Sequence, residues 1–373
     1  MSNINDFFIK DKMLLKYNGT DSDVIIPDSV TTIRSSVFLL SPARVTSITV
    51  SDSVTQIASD AFSYCIHVRN IKIGKKVKKI AEHFNDCSVL TNICVDSENP
   101  FFMDIGGDLY TKDGKTLIRH MRGKRAKSFT VPNHVTKIAS YAFCRCNSLN
   151  KIIIPDSVTE IGTGAFSECE NLKEITLPRI KTVSGGLISN CRSLTDFIIP
   201  DSVETLYSFD GADGLASITI PQNVRNIEPD AMLGVRLGGK ILADILVDKA
   251  NKNYKSVDGN LYSKDGKTLI RYAVGKKDKS FEIPKSVTTI KAGAFCTCNN
   301  VETIIIPSSV NDIETNTFFS CKNLSAVVIP CSVKEISEHA FLGCEKLVIK
   351  GYTGSYAEKY AKKNGIPFEA IEE

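Results

Sequence analysis

Tryptophan is missing from the 373 residues, and histidine and methionine occur five times each. No apolar run approaches the roughly 18 residues that a membrane-spanning helix requires, so no such span is expected. The net charge is only +4, too small at this length to imply a nucleic-acid partner. Enzyme signatures are lacking too. There is no Gly-x-Ser-x-Gly, no His-Glu-x-x-His and no glycine-rich phosphate cradle. The histidines (His67, His83, His120, His134 and His339) are scattered and suggest no shared site. The opening Met1-Ser2-Asn3-Ile4-Asn5-Asp6-Phe7-Phe8 lacks the basic and apolar regions of a secretory signal. That start fits either an internal protein or one whose leader has been removed, and leaves the location open.

What is present is one phrase, written repeatedly. Ile154-Pro155-Asp156-Ser157-Val158-Thr159-Glu160-Ile161 returns as Ile199-Pro200-Asp201-Ser202-Val203, Ile283-Pro284-Lys285-Ser286-Val287 and Ile306-Pro307-Ser308-Ser309-Val310. The spacing is about 23 residues, and a fixed short period is the mark of one small unit stacked on itself. A full unit runs Pro155, Val158, Ile161, Ala165-Phe166, Cys169, Leu172, Ile175 and Leu177. The alternation ending at Leu177 predicts a strand with one buried face. Proline ends that strand because it cannot donate to the ladder. Asp156-Ser157 is expected to turn the chain by bonding local backbone, and Ala165-Phe166 with Cys169 to close the coil in a short helical turn.

Stacking converts each position into a column. One column reads Phe38, Phe62, Phe84, Phe143, Phe166, Ile188, Met232, Phe295, Phe318 and Phe341, an expected aromatic spine. Eight of the 12 cysteines form another: Cys65, Cys87, Cys146, Cys169, Cys191, Cys298, Cys321 and Cys344. Buried cysteine acts as a small apolar filler, so this column reads as core packing. The pairs Cys144/Cys146 and Cys296/Cys298 resemble a thiolate clip, but a zinc site needs four ligands and no further pair follows. No metal or cofactor is expected.

Two long insertions interrupt the rhythm, and they are copies of each other. Val95 to Cys146 aligns with Val247 to Cys298 without a gap. Both contain Asp-Gly between apolar runs (Asp113-Gly114, Asp265-Gly266), a strong hairpin signal. Turn geometry, not catalysis, is the expected work of Asp113 and Asp265. Phe8 to Tyr17 echoes the same hairpin ahead of the first coil. At the far end, Ser355-Tyr356-Ala357-Glu358 has the form of a capping box, with Lys362-Lys363 in the last turn and Gly365 as the stop. The expected organisation is a hairpin-like cap over 1–23, a repeat solenoid over 24–350 with hairpins at about 96–128 and 248–280, and a C-terminal cap over 351–373.

These residues resemble the BspA-like, or Treponema-type, leucine-rich repeats. The likeness rests on Ile-Pro-x-Ser-Val-x-x-Ile…Ala-Phe-x-x-Cys-x-x-Leu-x-x-Ile-x-Ile, on the Lys-Asp-Gly-Lys-Thr-Leu hairpins and on the Gly354-to-Ala361 tail. It covers about Val24 to Phe368. It implies a leucine-rich repeat solenoid, a curved right-handed β-rich superhelix with a parallel sheet on its concave side, short helical turns and a capping helix. It also implies cell-surface adhesion or protein binding, and brings no catalytic residues. Two departures stand out: no export signal is visible, and the unit from Pro200 to Ile220 lacks the Ala-Phe-x-x-Cys core. The latter suggests a bend filled by Tyr207 and Phe209.

The candidate binding face consists of strand residues that alternate outward. One expected row is Thr49, Lys72, Cys94, Ile153, Thr176, Ile198, Thr219, Leu246, Ile305 and Val328. Beside it run Asn70, Asn92, Lys151, Glu174, Asp196, Ser217, Asp244 and Thr303. Half of the first row is aliphatic, which favours a protein contact; plain β-propensity explains it equally well. The leading expectation is a non-enzymatic protein-interaction module that uses this face, with no nucleic acid and an open oligomeric state. The alternative is a carbohydrate- or anion-binding or spacer solenoid. It draws on basic clusters at Lys75, Lys76, Lys78 and Lys79, at Arg119, Arg122, Lys124, Arg125 and Lys127, and at Lys276, Lys277 and Lys279.

Overall fold

The computed structural model describes residues 3–38, 45–63, 65–80, 87–207, 213–228 and 242–372. Phe84, Met232, Phe209 and His83 lie outside them. The chain divides into two compact units, Met1–Pro178 and Arg179–Glu373. Each is a parallel β-solenoid whose coils share three walls.

Strands of three to four residues build the first wall. In the first unit Asp23–Ile25, Ser47–Thr49, Asn70–Ile73 and Asn92–Val95 form one parallel ladder, and Ser128–Thr130, Lys151–Ile153 and Glu174–Thr176 another. In the second, Ser217–Ile220 pairs Asp244–Val247. A longer ladder there joins Ser280–Glu282, Thr303–Ile305, Ala326–Ile329, Val348–Gly351 and Phe368–Ala370. Central residues such as Ile48, Ile71, Ile152, Ile304 and Val327 are buried, as an alternating strand requires.

Between the first and second walls the chain turns at proline. Val158 donates its N–H to the Pro155 carbonyl at 3.1 Å, and Val135, Val203, Val287 and Val310 do the same to Pro132, Pro200, Pro284 and Pro307. The repeat serine works differently from expectation. Ser157 Oγ donates to the Val135 carbonyl of the coil before, at 2.9 Å, and Ser202, Ser309 and Ser332 likewise reach Ile180, Val287 and Val310. Its hydroxyl ties coil to coil, satisfying a backbone acceptor that would otherwise be buried unpaired. The second wall then consists of two-residue strands, such as Lys137–Ile138 beside Glu160–Ile161 and Thr205–Leu206 beside Asn226–Ile227.

The third wall carries the spine. The expected helical turn takes the form of linked i→i−3 turns: Ala142, Cys144 and Cys146 donate to Ala139, Tyr141 and Phe143. The intervening N–H groups of Tyr141, Phe143 and Arg145 reach the next coil, at Thr163, Ala165 and Ser167. Left-handed backbone makes this alternation possible, two residues before the ring (Tyr141, Gly164, Gly293, Asn316) and two after it (Arg145, Glu168, Thr297, Ser320). The rings stack at 4.9 to 5.4 Å between centroids along Phe143–Phe166 and Phe295–Phe318–Phe341.

Each insertion is a three-stranded meander that continues the stack. Phe102–Ile105 pairs antiparallel with Asp108–Thr111, which pairs antiparallel with Thr116–Arg119; the last then joins the second wall in parallel with Lys137–Ile138. The second copy repeats this with Tyr254–Val257, Asn260–Ser263, Thr268–Arg271 and Thr289–Ile290. At the N-terminus, Phe7–Lys10 and Met13–Tyr17 make the same entry onto Thr32–Ile33. Tyr17, His120 and Tyr272 therefore occupy one equivalent place, each against the first ring of its run, the latter two stacked and Tyr17 tilted. The helix Tyr356–Asn364 closes the far end, with Ser355 as its cap, Gly365 left-handed after it and Tyr360 against Phe341.

Candidate functional site

The structure places the outward strand positions in several short rows and not in one; Lys72, Cys94, Ile153, Thr176, Thr219 and Leu246 are exposed, while Thr49, Ile305 and Val328 are half-buried. Within the first unit Thr49, Lys72 and Cys94 lie side by side, and Ile153 lies beside Thr176. Within the second, Thr219 adjoins Leu246, and Ile305 adjoins Val328. The meanders separate these short ladders, because their turns take the next place along the wall: Ile93 donates to Gly107, and Ile245 to Gly259. Ile198 stands apart, outside any strand, in a segment that keeps the alternation with Phe197 and Ile199 buried. Lys151 and Glu174 are spent on each other in an exposed ion pair of 2.6 Å, worth little energetically.

Four aliphatic residues at outward positions are well exposed. Ile198 is 73% exposed, Ile25 50%, Leu246 46% and Ile153 44%. The second wall provides an internal control, since its outward positions are also strand positions. They read Thr32, Gln56, Lys79, Lys137, Glu160, Thr182, Thr205, Asn226, Thr289, Asp312 and Glu335, with no aliphatic residue among them. A preference of strands for branched side chains acts on both walls alike. The contrast therefore belongs to the first wall's surface and not to β-propensity.

The thiols sit where stacking requires, and they bond. Cys87, Cys169, Cys321 and Cys344 donate to the carbonyls of Phe62, Phe143, Phe295 and Phe318, one coil back, at 2.8 to 3.0 Å. Burial pushes the Cys146 thiol up to about 12 and Cys298 to about 11. Hydrogen bonding to Cys87, reinforced by burial, raises Cys65. No disulfide forms, and among the described residues no group of three or more His, Cys, Asp or Glu could hold a metal.

One cluster escaped sequence reasoning. Buried Asp108 accepts from His120 Nδ1 at 2.9 Å, from the Met121 N–H at 2.9 Å and from Lys124 Nζ at 2.6 Å. The His120 ring lies between Phe129 and Phe143, and the second copy has Asn260 and Tyr272 in these places. The pair is a polar variant of the spine, and nothing in the repeat pattern signals it.

Many of the basic groups are already engaged. Lys75 pairs with Asp52 and Glu98, Lys276 with Asp278 and Lys279 with Glu302. Arg119 is buried and donates to the carbonyls of Tyr141 and Cys144, as Arg271 does to those of Gly293 and Cys296. Tyr207 is exposed, and the segment after it, where the bend was expected, lies outside the described residues.

The chain belongs to the BspA type leucine rich repeat family, whose model matches residues 14–107, 121–235 and 274–350 in six copies. Solved structures to which the chain is similar include a leucine rich cell surface protein from Faecalibacterium prausnitzii, 24% identical, covering 98% of this chain and 96% of that one with a TM-score of 0.44. A leucine-rich repeat protein from Bacteroides ovatus is 21% identical over 98% and 97% of the two chains, TM-score 0.47. The pneumococcal vaccine antigen PcpA is 16% identical over 98% and 96%, TM-score 0.40. No curated protein matches the chain. Among the described residues, no helix is long and apolar enough to cross a membrane.

Proposed function

We propose that this chain is a non-catalytic, protein-binding repeat module whose contact surface, in each unit, is the outward face of that unit's first wall. The carrying observation is that exposed aliphatic residues stand at outward positions of the first wall, at Ile25, Ile153, Ile198 and Leu246, while the outward positions of the second wall's two-residue strands are polar. Exposed apolar side chains on a rigid sheet lose little conformational freedom on docking and gain from leaving water. The recurring serines, rings and thiols are absorbed by coil-to-coil bonds, which leaves the outward positions to vary. Ion pairs through the basic clusters count against the anion-binding alternative. Adhesion at a cell surface is the biological setting this reading favours.

The test is capture of protein partners from host and bacterial lysates by immobilised wild-type chain. Ile153→Asp and Leu246→Lys are expected to reduce capture of a specific partner at least tenfold with an unchanged unfolding midpoint. Glu160→Lys and Thr205→Lys, on the polar wall, are expected to leave it intact. Equal capture by all four variants would contradict the assignment.

A further inference from the structure

The second unit contains a cavity of about 360 Å³ on the outer side of the second meander, lined by Ile227, Glu228, Tyr254, Ile270, Lys291 and Glu314 among others. Its interest lies in the comparison between the two copies. The gapless alignment of Val95–Cys146 with Val247–Cys298 continues through Cys169 and Cys321, so every lining residue beyond Val247 has a counterpart. Gly293, which borders the cavity, replaces Tyr141. In the first copy the Tyr141 ring lies against Gly164, close enough that a Cβ there would meet its Cε1 at 2.5 Å. The second copy removes the ring and puts Asn316 in place of that glycine. Around the opened space, Phe102 becomes Tyr254, Ala139 becomes Lys291 and Gly162 becomes Glu314. One change opens room and three bring polar groups to it.

The polar groups have spare capacity. Glu314 spends one oxygen on the Ala292 N–H at 2.8 Å, and its other oxygen remains. Glu228 is half-buried, and its carboxylate has no hydrogen bond or ion pair among the described residues; the same holds for the Lys291 ammonium at the mouth. Tyr254 donates to the Arg225 carbonyl at 3.0 Å and keeps its oxygen free to accept. Arg271 adds a second cation, held by backbone carbonyls. The site thus presents two carboxylates and two cations, balanced in sign, over an apolar floor of Ile227, Ile270 and the Tyr254 ring.

We propose that this cavity is a binding site for a small neutral saccharide. A ligand with net charge of either sign would meet a like charge within the same space. Sugar hydroxyls both donate and accept, so adjacent ones can bridge a carboxylate and an ammonium. The C–H face of a pyranose covers the tyrosine ring and the isoleucines. Size and lining match a small-molecule cleft, largely apolar with a few fixed polar groups. The site is independent of the strand face proposed for protein contact.

Saturation-transfer NMR with glucose, galactose, mannose and N-acetylglucosamine, and with alanine and leucine as zwitterionic controls, tests this. Transfer to at least one sugar and to neither amino acid is expected. The double variant Gly293→Tyr/Asn316→Gly restores the arrangement that the first copy folds with, Tyr141 itself having positive φ, and is expected to abolish the signal. Glu228→Gln should weaken binding about tenfold, the loss of a charge-assisted hydrogen bond, and Leu246→Lys should not. Absence of transfer to every sugar, transfer that survives the double variant, or binding of the amino acids in place of sugars would each overturn the proposal.

Discussion

A cysteine at the column position supplies two things at once, a small apolar body and a weak donor for the phenylalanine carbonyl one coil back. Of the 12 thiols only Cys94 and Cys331 are exposed. Ellman's reagent on the native protein is therefore expected to label these two rapidly, Cys344 slowly, and the others only on unfolding. Rapid native labelling of Cys146 or Cys169 would show that the column is not buried. The same burial makes an alkaline prediction. Cys146 is raised from 9.0 to about 12, so the folded chain keeps a proton that the unfolded chain has lost. Folding stability should therefore be complete below pH 9 and fall as pH rises from there toward about 12. Denaturant midpoints across that range check it, with Cys146→Ala as the comparison whose slope is shallower. These columns were legible in the sequence because the period displays them. Asp108 and His120 were not: they are apart in sequence, and the second copy replaces both, so periodicity carries no trace of their contact.

Among the elements, the meanders show how far local signals reach. Asp113-Gly114 and Asp265-Gly266 announce the second turn of each, with Gly114 and Gly266 left-handed as the turn requires. The first turn, at Gly106-Gly107 and Asp258-Gly259, went unread. The strand before it, Phe102–Ile105, is half-buried along its whole length and gives no alternation to detect. Its two glycines differ in a measurable way. A Cβ on Gly107 (φ +84) would meet Asn92 Oδ1 at 2.4 Å, whereas one on Gly106 (φ +58) would meet nothing within 4 Å. Gly106→Ala is expected to cost about 1 kcal/mol for its backbone alone. Gly107→Ala should cost more, about 2–3 kcal/mol, since the overlap adds to the strain. Equal losses in chemical denaturation would contradict that placement. The third wall was harder still, since non-glycine residues such as Tyr141, Arg145 and Asn316 hold its left-handed positions.

At the scale of the molecule, residues that recur and residues that do not have different roles. Recurring serines, rings and thiols each bond or pack against the neighbouring coil within their own unit, so repetition records contact between neighbours. What remains variable, the outward face of the first wall and the cavity beside Gly293, is where binding is assigned. The stacking of coil on coil was therefore readable from the period alone. The breaks in the candidate row were not, because they depend on where the meander turns replace a strand. The whole separation rests on coupling between adjacent coils, and a double-mutant cycle measures it directly. Phe143 and Phe166 stack at 5.4 Å, so truncating both to alanine should give a non-additive loss of about 0.5–3 kcal/mol in denaturant unfolding. Phe143 with Phe38, several coils away in the same unit, should be additive. Additive behaviour of Phe143 with Phe166 would mean that the repeated rings are not a stack, and the division between structural and binding residues would fall with it.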